Sequence, residues 1–305
     1  MGVRDSCRKI EENFTFLDNK YKDVIHMSGV IYICVHSTIM PFQWKLKPSS
    51  AGALLGVNKY KSRTQSLAEA WRDRKPGLFK QTMQLLDIQQ TKREVIRDAI
   101  GESDSMCHAI EQGVLSQTKS GRDKALAKIK EEAYSGVQTR SRKAFADRMV
   151  SEARSEMYKA TGILQEETSL NKSAKKQGKT FDKGNKKFYK LDIPGEPYGG
   201  VLWGLIDGFD PETNTIIEHK QRQNRIFFKI PKYERIQCFI YMKMLGVQRV
   251  QLIQTFDDQQ REDIIVWNEK EWAAIYQGLV QCVCDLNRTL YDSVWCKQLV
   301  KSLCV

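Results

Sequence analysis

The sequence predicts an α/β chain, and three observations carry that expectation. β-prone runs recur at residues 201–206, 215–217, 250–256 and 264–267. An amphipathic helical stretch at 233–246 separates the second run from the third, and a longer one at 269–287 follows the last. Upstream, residues 80–146 are rich in Glu, Lys, Arg, Gln and Ala, with Ala125, Ile129 and Ala133 at helical spacing. Strands that alternate with helices bury their faces beneath those helices. At 305 residues the chain has room for one large domain or two small ones with an ample core.

In chain order, residues 1–40 read as a short helix or loop and then a β-branched run at 24–35. That run contains His26, Ser28 and Gly29 and falls short of the roughly 18 apolar residues of a membrane span. It therefore reads as a buried strand, and no transmembrane segment is expected. The start, Met1-Gly2-Val3-Arg4-Asp5-Ser6, fits the N-myristoylation pattern. Ser49 or Ser50 can cap a helix over 51–56, and Ser66 another running through Trp71 and Arg74. Residues 144–162 form a strong helix that Gly162 is positioned to end. Residues 171–190 hold Lys172, Lys175, Lys176, Lys179, Lys183, Lys186, Lys187 and Lys190, with Gly178 and Gly184 among them. They are expected to form a pliable basic loop that grips phosphates, Lys175, Lys176, Lys186 and Lys187 foremost.

Lys and Arg number 49 against 37 Asp and Glu, a net charge of +12. Such a balance points to a polyanionic partner, a nucleic acid or an acidic membrane surface. The eight cysteines are scattered, with no secretory signal ahead of them, and read as reduced thiols inside a cell. Cys282, Cys284, Cys296 and Cys304 lack a CxxC pair and read as core and helix-face residues rather than metal ligands.

The chemistry gathers at 203–220, WGLIDGFDPETNTIIEHK. An apolar run ends on Asp207, turn-rich residues follow, and a second β-prone run delivers Glu218-His219-Lys220. Side chains alternate along a strand, so Glu218 and Lys220 share a face and His219 points the other way. A hairpin here sets Asp207 beside Glu218. Two adjacent carboxylates repel unless a cation neutralises them, and oxygen ligands suit magnesium or manganese.

An acid at one strand end followed by Glu-x-Lys on the next resembles the PD-(D/E)xK nuclease superfamily. Within it, Ser-x6-Gly-Val-x-x-Tyr-x-Ser followed by Leu-x-x-x-Trp, from Ser49 to Trp71, resembles the opening of the phage lambda exonuclease and YqaJ-like recombinase family. The 144–162 helix, with its Tyr-x-x-x-Thr-Gly-like end, and Tyr233-x-x-x-Gln237 through Gly246 resemble two further family helices. The matching pieces cover 44–75 and 144–256.

The resemblance implies a central mixed sheet flanked by helices, a restriction-endonuclease-like core with active-site residues at strand ends. It implies one nuclease domain over 1–305: N-terminal helices at 44–80, an inserted helical region at 81–143, the core at 144–256, and a C-terminal strand and helices at 257–305. The implied reaction is metal-dependent 5′→3′ hydrolysis of linear double-stranded DNA in recombination, replication or repair. Asp207, Glu218 and the His219 backbone carbonyl would hold one or two Mg²⁺ or Mn²⁺ ions, and Lys220 and Gln237 would handle water. The helix acid of the family is expected at Glu152, with Glu156 and Asp147 as alternatives. Ser49 or Ser50 would hold a 5′-phosphate, helped by Lys45 and Lys47, which stand where the family has an arginine, and Arg222 would add a donor. Partners implied by analogy are DNA ends, a single-strand annealing protein and copies of the chain in a ring-shaped trimer. Two rivals stand beside this: an endonuclease or DNase/RNase of the same superfamily, and a non-catalytic basic adaptor on nucleic acid or membrane.

Overall fold

In the computed structural model the described residues are 42–116, 118–183, 187–256 and 259–304. The expected strand at 24–35, the Met1–Ser6 pattern and Lys186 lie outside them. The elements run β1 (Trp44–Leu46), α1 (Pro48–Leu54), α2 (Arg63–Arg74), α3 (Pro76–Leu85), α4 (Lys92–Gly101), α5 (Asp104–Leu115), α6 (Lys119–Tyr134) and α7 (Arg140–Gln177). Then come β2 (Asp182–Lys183), β3 (Tyr189–Ile193), β4 (Gly200–Gly204), β5 (Gly208–Asp210), β6 (Thr215–Gln221), α8 (Lys232–Leu245), β7 (Arg249–Phe256), β8 (Gln259–Val266), α9 (Glu269–Arg288) and α10 (Ser293–Cys304). The expected mixed α/β architecture is what the chain adopts. No helix among the described residues is long and apolar enough to cross a membrane.

The strands divide between two mixed sheets, ordered β1-β4-β3 and β2-β5-β6-β7-β8. The chain breaks between them at Leu205–Asp207, so 201–206 is not the partner of 215–217. The hairpin is β5–β6, closed by Asp210, whose carboxylate accepts from the Glu212 and Thr213 amides and from Lys179 at 2.7 Å. Strands β6 and β7 are parallel, as a helical crossover between them requires, and α8 is that crossover.

Period-two alternation gives the five-stranded sheet its two faces. Ile216, Val250, Leu252 and Ile265 join the main core with the buried face of α8. Ile217 and Ile253 pack from the other face against Leu170 of α7. Helices α4–α6 and the first half of α7 hold a separate core of Ile96, Ile100, Met106, Ile129, Met149 and Met157 among others. Residues 81–143 are helical as expected, and α4–α6 share this apolar interior with the first half of α7. Helix α7 has 38 residues, about 57 Å at 1.5 Å each, and runs from that interior to the sheet.

Three local expectations are corrected. Helix α7 does not stop at Gly162: it continues to Gly178, which adopts φ 64° and caps the end with its amide. A glycine inside a helix costs only about 1 kcal/mol, and the buried Leu170 and Ser173 beyond it sit in packed positions. Lys172, Lys175 and Lys176 therefore stand on the last turns of a helix, not on a loop. Helix α1 begins at Pro48 with Lys47 as its N-cap, because the fixed φ of proline suits a first turn; Ser49 and Ser50 lie inside it. Helix α2 is capped by Ser62 in a capping box with Gln65, and Ser66 instead donates to the Ser62 carbonyl from within the helix.

Candidate active site

Extending the β5–β6 register one step beyond Gly208↔Ile217 sets Asp207 opposite Glu218. The Asp207 carboxylate accepts the His219 amide at 2.7 Å. The N–H and C=O of one strand residue point to the same edge, so the His219 carbonyl also opens toward Asp207. Glu218 and Lys220 share the sheet face that α8 covers. Lys220 Nζ donates to Glu218 Oε1 at 2.5 Å and to Gln237 Oε1 at 3.2 Å. Gln237 Nε2 donates to the same Glu218 oxygen at 2.8 Å, and Tyr241 stands one helical turn on, 3.4 Å from Gln237. From the other face α7 contributes Glu166, which shares a hydrogen bond with Asp207. Asp207, Glu218, Lys220 and Gln237 are therefore brought together, and two residues the sequence reading missed, Glu166 and Tyr241, join them.

Glu152 is not there. It stands 14 residues before Glu166, about 21 Å along the helix axis, and its carboxylate binds Arg93 at 2.6 Å and Arg97 at 3.1 Å. Glu156 pairs with the same two arginines and Asp147 with Tyr134. These acids pin α4 and α6 to α7. A signal for Glu166 was present: Glu166, Leu170, Ser173 and Gln177 follow at i, i+4, i+7 and i+11, one helical stripe. Reading the helix as ended at Gly162 hid it.

Arg222 is also corrected. It is buried, with its guanidinium held by both Glu234 oxygens at 2.5 and 2.8 Å and by Gln254 Oε1 at 2.7 Å. Three of its five N–H donors are committed to these partners and the side chain is buried, so it is not presented to a phosphate at the surface. Lys179, held by Asp210, is likewise committed to the hairpin turn. Lys175 lines a cleft of about 370 Å³ together with Glu166 and Asp207. Lys176 and Lys187 are exposed, Lys187 lying 5.4 Å from the Tyr189 ring. Lys45 and Lys47 are exposed at and after β1, with Lys45 5.7 Å from the Trp203 ring. A Cβ at Gly204 would meet Pro48 Cδ at 3.1 Å and Tyr241 Cε1 at 3.5 Å. The first turn of α1, with exposed Ser49 and half-buried Ser50, thus borders the Tyr241 side of the site.

The electrostatics follow from crowding acids around one ammonium. Burial, then the charge of Asp207, pushes the Glu218 carboxyl up to about 7. Burial, with Glu166 beside it, pushes Asp207 up to about 7 against the pull of Lys220. Burial and the charge of Glu218 raise Glu166 as well. Burial would lower Lys220, but Glu218 and Asp207 outweigh it and hold the ammonium well above the usual lysine range. Without a metal, Lys220 is therefore held as an ammonium that donates to Glu218 and Gln237. His219, lowered to about 4 by burial and by Lys220, is a neutral ring bonded to Thr255 Oγ1 at 2.9 Å.

Glu218 Oε2 is buried with no hydrogen-bond partner, a costly state for a carboxylate oxygen. Glu166, Asp207, Glu218 and the His219 carbonyl offer only oxygen donors, the chemistry that suits a hard divalent cation. Among the described residues no three His, Cys, Asp or Glu side chains already stand in ligand array. The Lys220 ammonium and the proton between Glu166 and Asp207 hold the acids in place, and a cation would draw Glu166, Asp207 and Glu218 inward.

No family model matches the chain. No curated protein matches it either. Among solved structures it is similar to SSO0001, at 16% identity and a TM-score of 0.34 over 53% of this chain and 84% of that one. It is also similar to a phage-related exonuclease from Haemophilus somnus 129PT, at 13% identity and a TM-score of 0.32 over 64% of this chain and 94% of that one. Scores this low do not establish a common fold, so the reading of the site rests on its own geometry.

Proposed function

We propose that the chain is a metal-dependent nuclease of the PD-(D/E)xK type, acting on linear double-stranded DNA from a 5′ end. The observation that carries this is the convergence of Glu166, Asp207, Glu218, Lys220 and Gln237 from two helices, strand β6 and the residue just before β5. Glu218 in particular keeps one buried oxygen without a partner. Glu166, Asp207, Glu218 and the His219 carbonyl would hold Mg²⁺ or Mn²⁺. A divalent ion bound there supplies Lewis-acid neutralisation of phosphate charge and acidifies water.

The other roles fall to the chain's own groups. Lys220, kept protonated by its two acids, donates to the attacking water or to a phosphate oxygen and shields charge as it develops. Gln237 fixes the Lys220–Glu218 pair by donating to one and accepting from the other, so the ammonium cannot drift to solvent. Burial around Glu218 keeps bulk water from screening these contacts. Ser49, Ser50, Lys45 and Lys47, on the α1 side, would receive the 5′-phosphate. Lys175, in the cleft with Asp207 and Glu166, would receive the following backbone, with Lys176 and Lys187 flanking it. Leu205 stands where the resembling family can offer a further serine, so the preference for a 5′-phosphate is expected to be modest.

The test is digestion of duplexes labelled at either end, linear or circular, with 5′-phosphate or 5′-hydroxyl and saturating Mg²⁺. Linear DNA is expected to shorten from the labelled 5′ end while circles survive. Shortening from the 3′ end would refute the polarity. Cutting of circles would move the assignment to the endonuclease alternative.

A further inference from the structure

A second feature adjoins the acids and is used by none of the roles above. The strand that carries Lys220 continues through Gln221 and Arg222 into an irregular segment, 222–231. This segment, the turn around Lys59 and Tyr60, and the α7 face at Ser151 and Arg154 enclose a groove of about 710 Å³. A neighbouring groove of about 520 Å³ shares Lys59, Tyr60, Arg225, Phe227 and Tyr233 with it and adds Phe228, Lys229 and Lys232. The two are one continuous surface.

Its composition is selective. Neither groove is lined by an aspartate or a glutamate. Among the described residues, Lys59, Arg225, Lys229 and Lys232 have no carboxylate partner, so their charge is directed to solvent. Two aromatic rings stand in the same surface almost uncovered: Tyr60 is 71% exposed and Phe228 85%. Each has a cation over it, Lys59 at 4.9 Å from the Tyr60 ring and Arg261 at 5.5 Å from that of Phe228. Arg261 is itself paired with Asp263 at 2.7 Å, whereas the Lys59 ammonium has no carboxylate partner among the described residues, and both rings stay largely uncovered.

We infer that this groove binds single-stranded nucleic acid, with bases stacked on Tyr60 and Phe228 and phosphates on Lys59, Arg154, Arg225 and Lys229. Unpaired bases offer π-faces to isolated rings and a flexible backbone to a line of cations, and this recognition is indifferent to sequence. A duplex has its bases already stacked and can use only the cations. The inference deepens the nuclease reading and rests on it for one point, that the groove leads an unpaired strand to or from the acids beside Lys220. Binding itself requires no metal.

The experiment measures binding of a fluorescent dT oligonucleotide and of a blunt duplex to the full chain in EDTA. Tyr60→Ala and Phe228→Ala are each expected to weaken dT binding about ten-fold, leaving duplex binding within about two-fold of wild type. Tyr60→Phe should restore dT binding, since it keeps the ring. Both positions are exposed, and unchanged melting temperatures would confirm that the variants fold. The inference is overturned if the alanine variants bind dT as the wild type does, or if duplex binding falls equally. Aromatic-dependent dT binding in a chain that cleaves no DNA with Mg²⁺ would uphold the groove and sink the nuclease reading, so the two failures are distinguishable.

Discussion

Glu166→Gln is expected to lower Mg²⁺-dependent DNA hydrolysis by at least ~10²-fold, and Glu152→Gln to leave it within about two-fold. Both acids lie on the same helix, yet only Glu166 reaches Asp207, while Glu152 is held by Arg93 and Arg97. Neutralising Glu166 removes a charge from the proposed cation site without removing its bulk. Glu218→Gln should match it, because the buried oxygen without a partner would be exchanged for an amide. Lys220→Met should be as severe, since the ammonium is the only cation hydrogen-bonded to these acids among the described residues. The check is single-turnover hydrolysis at saturating metal and DNA. Equal losses in Glu152→Gln and Glu166→Gln would mean that the packing of α4 on α7, not the acid cluster, sets the rate.

Arg222→Gln is expected to destabilise the fold by about 3–5 kcal/mol, because it leaves Glu234 as an uncompensated buried charge. For a chain of this size that corresponds to a loss of roughly 10 °C in melting temperature. The double variant Arg222→Met with Glu234→Leu should recover most of the loss, since an apolar pair of similar volume restores the packing without a stranded ion. A single variant that melted with the wild type but bound DNA with a shallower salt dependence would return Arg222 to the phosphate-binding surface.

These two residues also show where sequence is informative and where it is silent. The hairpin acids and Lys220 were legible because strand alternation and a tight turn are local: Asp210, Pro211 and Asn214 close β5 on β6, and Asp207 follows from the register. Gln237 was legible as one position on an amphipathic helix that caps the same sheet face. Glu166 was not, because a mid-helix glycine carries a helix-end signal that tertiary burial of Leu170 and Ser173 overrides. Arg222 was misread because nothing local distinguishes an arginine bound for solvent from one bound for a glutamate twelve residues away. The lysine-rich stretch divides for a similar reason: Lys179 meets Asp210 across the fold, whereas Lys175 faces the cleft. The break between the two sheets at Leu205–Asp207 has no local signature either, since residues 201–206 read as one apolar run.

The most direct test of the acid cluster as a metal site is the Mg²⁺-induced shift in melting temperature, wild type against Glu218→Gln, across pH. Asp207 and Glu218 bind protons more tightly when folded, rising from ordinary values near 4 to about 7. The native state therefore holds more protons than the unfolded chain between those limits, and metal-free stability falls as pH rises from about 4 to about 7. Mg²⁺ competes with the same protons, so its stabilisation should be larger at pH 8 than at pH 6. At a hundred times its dissociation constant it should add about 2.7 kcal/mol, roughly 5–10 °C here. That shift is expected in the wild type and little of it in Glu218→Gln. No shift in the wild type, or an equal one in the variant, would contradict it.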